Sequence, residues 1–214
     1  MKKFLLPLFV ILFSVASFIN AQSDLSFGPI GGLNISTFNG KDANQLGNLS
    51  SKTGVYIGGF LNYRFSELFA LQPEVVYTMK GADATVNIND VNANLTYSAN
   101  YIEIPVLLKF YIPISGARTV KPSLYVGPAF AFNVSSNVTV SANNQTQTVD
   151  MSSSTKGFDF GVAFGGGVGF VLGKDLLDIS VRYTLGITTT DNSPSNLSVT
   201  NGVFAIIAGF AFGI

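Results

Sequence analysis

Most of this chain reads with a period of two. Across residues 101–111, Ile102, Ile104, Val106, Leu108 and Phe110 alternate with Tyr101, Glu103, Pro105, Leu107, Lys109 and Tyr111. Across 55–65, Val55, Ile57, Gly59, Leu61, Tyr63 and Phe65 alternate with Tyr56, Gly58, Phe60, Asn62 and Arg64. Across 177–185, Leu177, Ile179, Val181, Tyr183 and Leu185 alternate with Asp178, Ser180, Arg182 and Thr184. Successive side chains of a strand point to opposite faces, so each segment has one uniformly apolar face and one face that holds its charges.

The solvent on the apolar face follows from composition. Hydrophobic residues make up 47% of the 214 residues and charged residues only 11%, against about 25% charged in an ordinary soluble domain. After residue 21 no run of 18 apolar residues remains, which excludes membrane-spanning helices. The remaining way to cross lipid is a closed β-barrel, because closure leaves no backbone group unpaired in hydrocarbon.

The segments predict eight strands, near 25–36, 52–65, 69–80, 99–112, 120–133, 157–172, 176–187 and 200–213. Between them, 37–51, 81–98, 134–156 and 188–199 are long and rich in Asn, Ser, Thr and Asp, whereas 66–68, 113–119 and 173–175 are short. That alternation, with an even strand count, is the loop-and-turn asymmetry of outer-membrane barrels. Strands of about 12 residues, tilted about 40°, reach roughly 30 Å and cross the lipid-facing band of about 25 Å. The expected fold is therefore all-β, an eight-stranded antiparallel transmembrane up-and-down barrel, with the bacterial outer membrane as its location.

The first residues read as a leader. Met1-Lys2-Lys3 is a basic start, Phe4 to Phe18 is apolar except for Pro7, Ser14 and Ser17, and Ile19-Asn20-Ala21 precedes Gln22. This is the layout of a cleaved signal peptide over 1–21, with the barrel domain over 22–214. The run is short for a membrane anchor.

On the inner faces the pattern places Arg64, Glu74, Glu103, Lys109, Asp159, Asp178 and Arg182. An eight-stranded barrel is just wide enough for its own side chains. Buried charges there pair or hydrogen-bond, so these seven read as a lumen network rather than as an ion path. Glu74 and Glu103 are the candidates for a carboxylate pair, but their spacing carries no catalytic pattern. With no Cys and no His in the chain, thiol nucleophiles, thiolate or imidazole metal sites and Ser-His-Asp chemistry are excluded. No cofactor is expected: the run Gly161–Gly169 has Phe170 where a dinucleotide loop needs its third Gly. Those glycines instead make room for large side chains opposite. Twelve basic and twelve acidic residues give no electrostatic case for nucleic acid.

Outside the barrel, Phe158, Phe160, Val162, Phe164, Val168 and Phe170 form one apolar row, and Phe204, Ile206, Ala208, Phe210, Phe212 and Ile214 another. Tyr63, Phe65, Phe69, Tyr77, Tyr111, Phe130, Phe132 and Tyr183 gather near strand ends, as interfacial girdles do, without any Trp. The apolar last strand is similar to the signal read by the outer-membrane insertion machinery, one expected partner beside the lipid itself.

The run Tyr101-Ile102-Glu103-Ile104-Pro105-Val106-Leu107-Leu108-Lys109-Phe110 resembles the Y-x-E-x-P-x-L-x-K signature of PorT-like outer-membrane β-barrel proteins of Bacteroidetes-type bacteria. Leu71-Gln72-Pro73-Glu74-Val75-Val76-Tyr77, the run from Pro122 to Pro128, Phe158-Asp159-Phe160-Gly161 and Gly31-Gly32-Leu33-Asn34 resemble its other strands. The resemblance implies an eight-stranded barrel in the outer membrane. Its name-giving member is associated with a protein-secretion system, a role that shared fold alone does not transfer. The expected function is a small non-enzymatic barrel with a structural or interaction role through polar loops, accessory to an envelope or secretion complex. The alternative is a narrow pore or a small-ligand-binding barrel. Outer-membrane enzyme barrels rely on His, which this chain lacks.

Overall fold

The computed structural model describes residues 24–88, 91–114, 116, 119–143, 145–194 and 197–213. The segment 1–21, expected as a signal peptide, and Ile214 lie outside them. Nine strands appear among these residues: β1 (Asp24–Asn39), β2 (Asn48–Arg64), β3 (Phe69–Ile88), β4 (Val91–Tyr111), β5 (Val120–Ala142), β6 (Gln145–Asp150), β7 (Phe158–Leu172), β8 (Asp175–Gly186) and β9 (Thr200–Gly213). Eight of them close a ring of antiparallel ladders in the order β1-β2-β3-β4-β5-β7-β8-β9, and β9 returns to β1. In that last seam Phe27 pairs with Phe212 and Asn39 with Thr200. The closure follows from the alternation: each strand has one face that avoids water, and only a sealed cylinder hides every backbone group as well.

The outer surface is apolar. Leu33, Ile57, Val75, Leu124, Val126, Phe164, Val181 and Ile206 are exposed. Aromatic pairs ring both ends of the wall. Phe65 stacks on Phe69 at 6.3 Å, and Phe69 meets Phe110 at 5.3 Å. Toward the other end Phe130–Phe160 and Phe132–Phe158 are 5.4 and 5.6 Å apart. Tyr111 departs from the expected girdle. Its parity matches Lys109, so it turns into the lumen, 7% exposed, where its hydroxyl donates to Asn62 Oδ1 at 3.4 Å.

The core lies inside the cylinder. Ile30, Tyr56, Phe60, Val76, Ala205, Ile207 and Ala211 form one apolar cluster, and Leu107, Tyr125, Ala129 and Ala163 a second. Gly165 makes the space that Tyr125 fills: a Cβ there would stand 2.8 Å from its hydroxyl and 2.9 Å from Cζ.

The segments 81–98 and 134–156, expected as polar loops, are largely strand. β3 and β4 continue in register up to the pair Ile88–Val91, and β5 continues to Ala142 before β6 folds back on it. The ring keeps the expected eight strands, and among the described residues β6 is a ninth that lies outside it. Likewise β1 and β2 extend to Asn39 and from Asn48, joined through a short 3-10 turn at Ala43–Leu46. The reason is that backbone pairing does not need an apolar face. Above the lipid band both faces of a ladder can be polar.

Candidate functional site

The lumen carries three charge clusters stacked along the barrel axis. The middle one joins β3 to β8 across the interior. Arg182 Nη1 donates to Glu74 Oε2 and Nη2 to Glu74 Oε1, both at 2.8 Å, a bidentate fork. Tyr56 donates its hydroxyl to Glu74 Oε2 at 2.8 Å and accepts from Arg182 Nη1. Gln72 Nε2 completes the carboxylate's shell, donating to Oε1 at 2.9 Å. The guanidinium carbon sits 5.5 Å from the Tyr56 ring centre and 5.1 Å from that of Tyr125. The two aromatic faces thus flank the buried cation.

Toward the long-hairpin end, Lys80 Nζ lies 2.5 Å from Glu103 Oε2 and 3.7 Å from Asp159 Oδ2. Two carboxylates share one cation, and the excess negative charge is met by neutral donors. Asn201 Nδ2 donates to Asp159 Oδ2 at 2.9 Å, and Thr188 Oγ1 to Asp159 Oδ1 at 2.8 Å. Lys80 also stands 4.9 Å from the Tyr101 ring centre. Toward the short-turn end, Lys109 Nζ binds Asp178 Oδ2 at 2.8 Å and lies 5.6 Å from the Tyr111 ring. Arg64 also approaches that ring, 5.0 Å from its centre.

The seven residues singled out from the sequence all face inward, but they do not form one constellation. Glu74 pairs with Arg182, Lys109 with Asp178, while Glu103 and Asp159 converge on Lys80. Glu74 and Glu103 are thus bound to different cations. Lys80 lies outside the set taken from the sequence. Its signal is parity: it is even-numbered on β3, like Glu74, and belongs on the same inner face. Among the described residues no cluster of acidic side chains could hold a metal ion.

Two cavities flank these layers. One of about 310 Å³ opens at the short-turn end, between Leu25, Asn62, Arg64, Lys109, Lys174 and Arg182. Another of about 120 Å³ lies under the long connections, between Phe38, Tyr97, Tyr101, Met151 and Val199. Glu74, Tyr56, Lys80 and Glu103 line neither of them and occupy the barrel between.

Over the second cavity the long connections are tied together. Asp191 Oδ2 accepts from the N–H of Leu197 at 2.6 Å and from the Ser193 hydroxyl at 2.9 Å, and its Oδ1 accepts from the N–H of Ser193 at 3.1 Å. Burial raises the Asp191 pKa, but these donors, led by the Leu197 N–H, outweigh it and hold the carboxyl below its ordinary value. Asp42 Oδ2 accepts from Ser198 N–H at 2.8 Å and so joins the β1–β2 connection to the β8–β9 one.

A sealed antiparallel cylinder with an apolar outer wall, aromatic belts and a charged, filled interior defines a transmembrane barrel of the bacterial outer membrane. The chain belongs to the outer membrane protein beta-barrel domain family, whose model matches residues 20–192. Three of the solved structures it is similar to illustrate the fold. Neisserial surface protein A is 16% identical over 88% of this chain and 97% of that one, with a TM-score of 0.46. Ail, the attachment invasion locus protein of Yersinia pestis, is 14% identical over 90% and 100%, at 0.40. The N-terminal β-barrel domain of Pseudomonas aeruginosa OprF is 13% identical over 88% and 99%, at 0.37. No curated protein matches the chain.

Proposed function

We propose that the protein is a non-enzymatic outer-membrane barrel that works as a rigid holder for its projecting hairpins, which contact a partner at the cell surface. The observation that carries this reading is the pair of buried charge layers, Arg182–Glu74 and Lys80–Glu103–Asp159, set between the two cavities. Charges paired in low dielectric hold position and resist displacement. A path for ions would need them parted. In a barrel of this kind the short turns face the periplasm and the long connections face outward, so the β3–β4 and β5–β6 hairpins stand above the membrane. The motif Tyr101–Phe110 supports a place in the PorT-like branch, and with it a part as accessory to an envelope or secretion complex.

A second reading, a small-ligand barrel, is favoured by the cavity of about 310 Å³ at the short-turn end, since small-molecule sites begin near that size. Planar-bilayer recordings on the full chain test the first reading against a pore. The expected trace has no resolved conductance steps. Steady unitary steps that change size in Glu74→Gln would overturn it.

A further inference from the structure

Among the described residues, β6 is the one strand paired on a single side. All six of its residues, Gln145 to Asp150, are exposed. The register fixes which backbone groups are open. Ala142 and Gln145 are the last register pair of the hairpin. Below them Met151 N–H donates to the Ser136 carbonyl at 2.8 Å, and bonded pairs alternate along an antiparallel ladder. Val140–Gln147 and Val138–Val149 are then the next bonded pairs. Thr146, Thr148 and Asp150 therefore turn their N–H and C=O groups away from β5. Natural edges are shielded by Pro, Lys, bulges or a covering element. The run Gln-Thr-Gln-Thr-Val-Asp holds no Pro and no Lys, and its single charge, Asp150, stands at one end.

We propose that β6 pairs antiparallel with β6 of a second copy of this chain, with the two-fold axis at Thr148. This rests on the reading above, that the projecting hairpins make contacts. Only registers that set Thr146, Thr148 and Asp150 of each copy against one another bring open groups face to face. The register centred on Thr148 pairs Thr146 with Asp150 and Thr148 with its counterpart. It aligns three pairs of open residues, against two in the register centred on Gln147, and sets the single charge of β6 against a hydroxyl. Centring on Asp150 would oppose two carboxylates, and centring on Thr146 would leave most of the strand unpaired.

The geometry also fixes where the second copy stands. Antiparallel pairing reverses the second strand, and β5 and β6 run along the barrel wall, so the second barrel points back toward the first. The two copies sit in facing membranes. The space suffices. Thr148 is level with Thr139, and Thr139 with Thr96. The β3–β4 ladder runs five residues past Thr96 to Val91, about 17 Å, while the belt pair Phe132–Phe158 lies seven residues below Thr139, about 23 Å. A hairpin of one copy thus ends short of the other's membrane. A single five-residue contact is weak, and many copies per membrane sum their contacts.

The test uses the full chain in phosphatidylcholine vesicles. The protein has no cysteine, so Thr148→Cys supplies a single thiol on the axis, and a short bis-maleimide joins two copies only if those thiols meet. Expected are vesicles that cluster and Thr148→Cys dimers at least fivefold above those of the exposed control Ser50→Cys. Thr148→Pro should cut clustering at least tenfold while keeping heat-modifiable gel mobility, because the N–H it removes points away from β5. Dimers no more abundant than the control's, clustering that survives Thr148→Pro, or cross-links confined to copies within one nanodisc would each overturn the pairing. Capture of an envelope partner from residues 134–156 without any Thr148→Cys dimer sinks self-pairing and leaves the interaction reading standing.

Discussion

Arg182 on β8 and Glu74 on β3 are joined across the barrel interior by two parallel N–H···O bonds, both 2.8 Å long, and the two residues are 2% and 1% exposed. Removing one partner of such a pair strands the other charge without solvent, which costs about 3–5 kcal/mol. Glu74→Ala should therefore lower the stability of the barrel by about that much in urea unfolding followed by tyrosine fluorescence. The double variant Glu74→Leu with Arg182→Met removes both charges and should recover most of the loss. A double variant as unstable as the single one would show that packing, not charge, holds this level together.

The Lys80 layer makes a graded prediction. Glu103→Ala leaves the ammonium with only Asp159, 3.7 Å away. Asp159→Asn leaves Lys80 its shorter contact with Glu103 and removes the surplus carboxylate. Glu103→Ala should therefore destabilise the barrel more than Asp159→Asn, by about 1 kcal/mol or more on the scale of buried charged hydrogen bonds. The reverse order in the same unfolding assay would contradict the assignment of Glu103 as the main counter-ion.

Gly165 tests the packing of the inner wall. A methyl group there would meet Tyr125 at 2.8 Å and the Val181 carbonyl oxygen at 2.2 Å. The carbonyl belongs to the ladder and cannot swing aside. Gly165→Ala is expected to cost about 1–3 kcal/mol, and Tyr125→Leu in that background should relieve only part of it. Full rescue would mean that the ring alone sets the limit.

The pH dependence of the outer connections follows from Asp191. Its folded pKa lies below the unfolded value, held there against burial by the N–H groups of Leu197 and Ser193. Its contribution is complete above the ordinary carboxylate range and is lost as pH falls through the lowered value. The protection factors of the Leu197 and Ser193 amides should hold at pH 6 and fall as pH drops below the ordinary carboxylate range, while Phe164 and Ala205 in the wall keep theirs. Asp191→Asn should show the lowered protection factors already at pH 6.

How much of this was legible follows from where the solvent imposes a pattern. Inside the lipid band each residue faces either hydrocarbon or the lumen. Parity alone sends Ile104 outward and Glu103 inward, and the eight ring strands can be read directly. Above the band that contrast disappears. Asp83, Thr85, Asn94 and Thr96 belong to a ladder with water nearby, so their composition resembles that of a loop although Asp83–Thr96 and Thr85–Asn94 are register pairs. Lys80 stands at the border, where the apolar half of the alternation fades and parity must be carried upward from Glu74. Tyr111 is the converse case: its chemistry suits a girdle, and only its parity with Lys109 reveals the inward turn. Which cation meets which carboxylate depends on the stagger between strands, which no single strand encodes.

The seam between β1 and β9 joins the two ends of the described chain, with Phe27 and Phe212 rings 5.9 Å apart. β1 gains its second neighbour only when β9 arrives. Assembly is consequently an end-to-end event with long loop closure at its final step. A chain cut before β9 would present the open edges of β1 and β8 together, a product marked for capture by chaperones or proteases. The cylinder thereby works as a length gauge, since only a chain copied through to its last strand can shut.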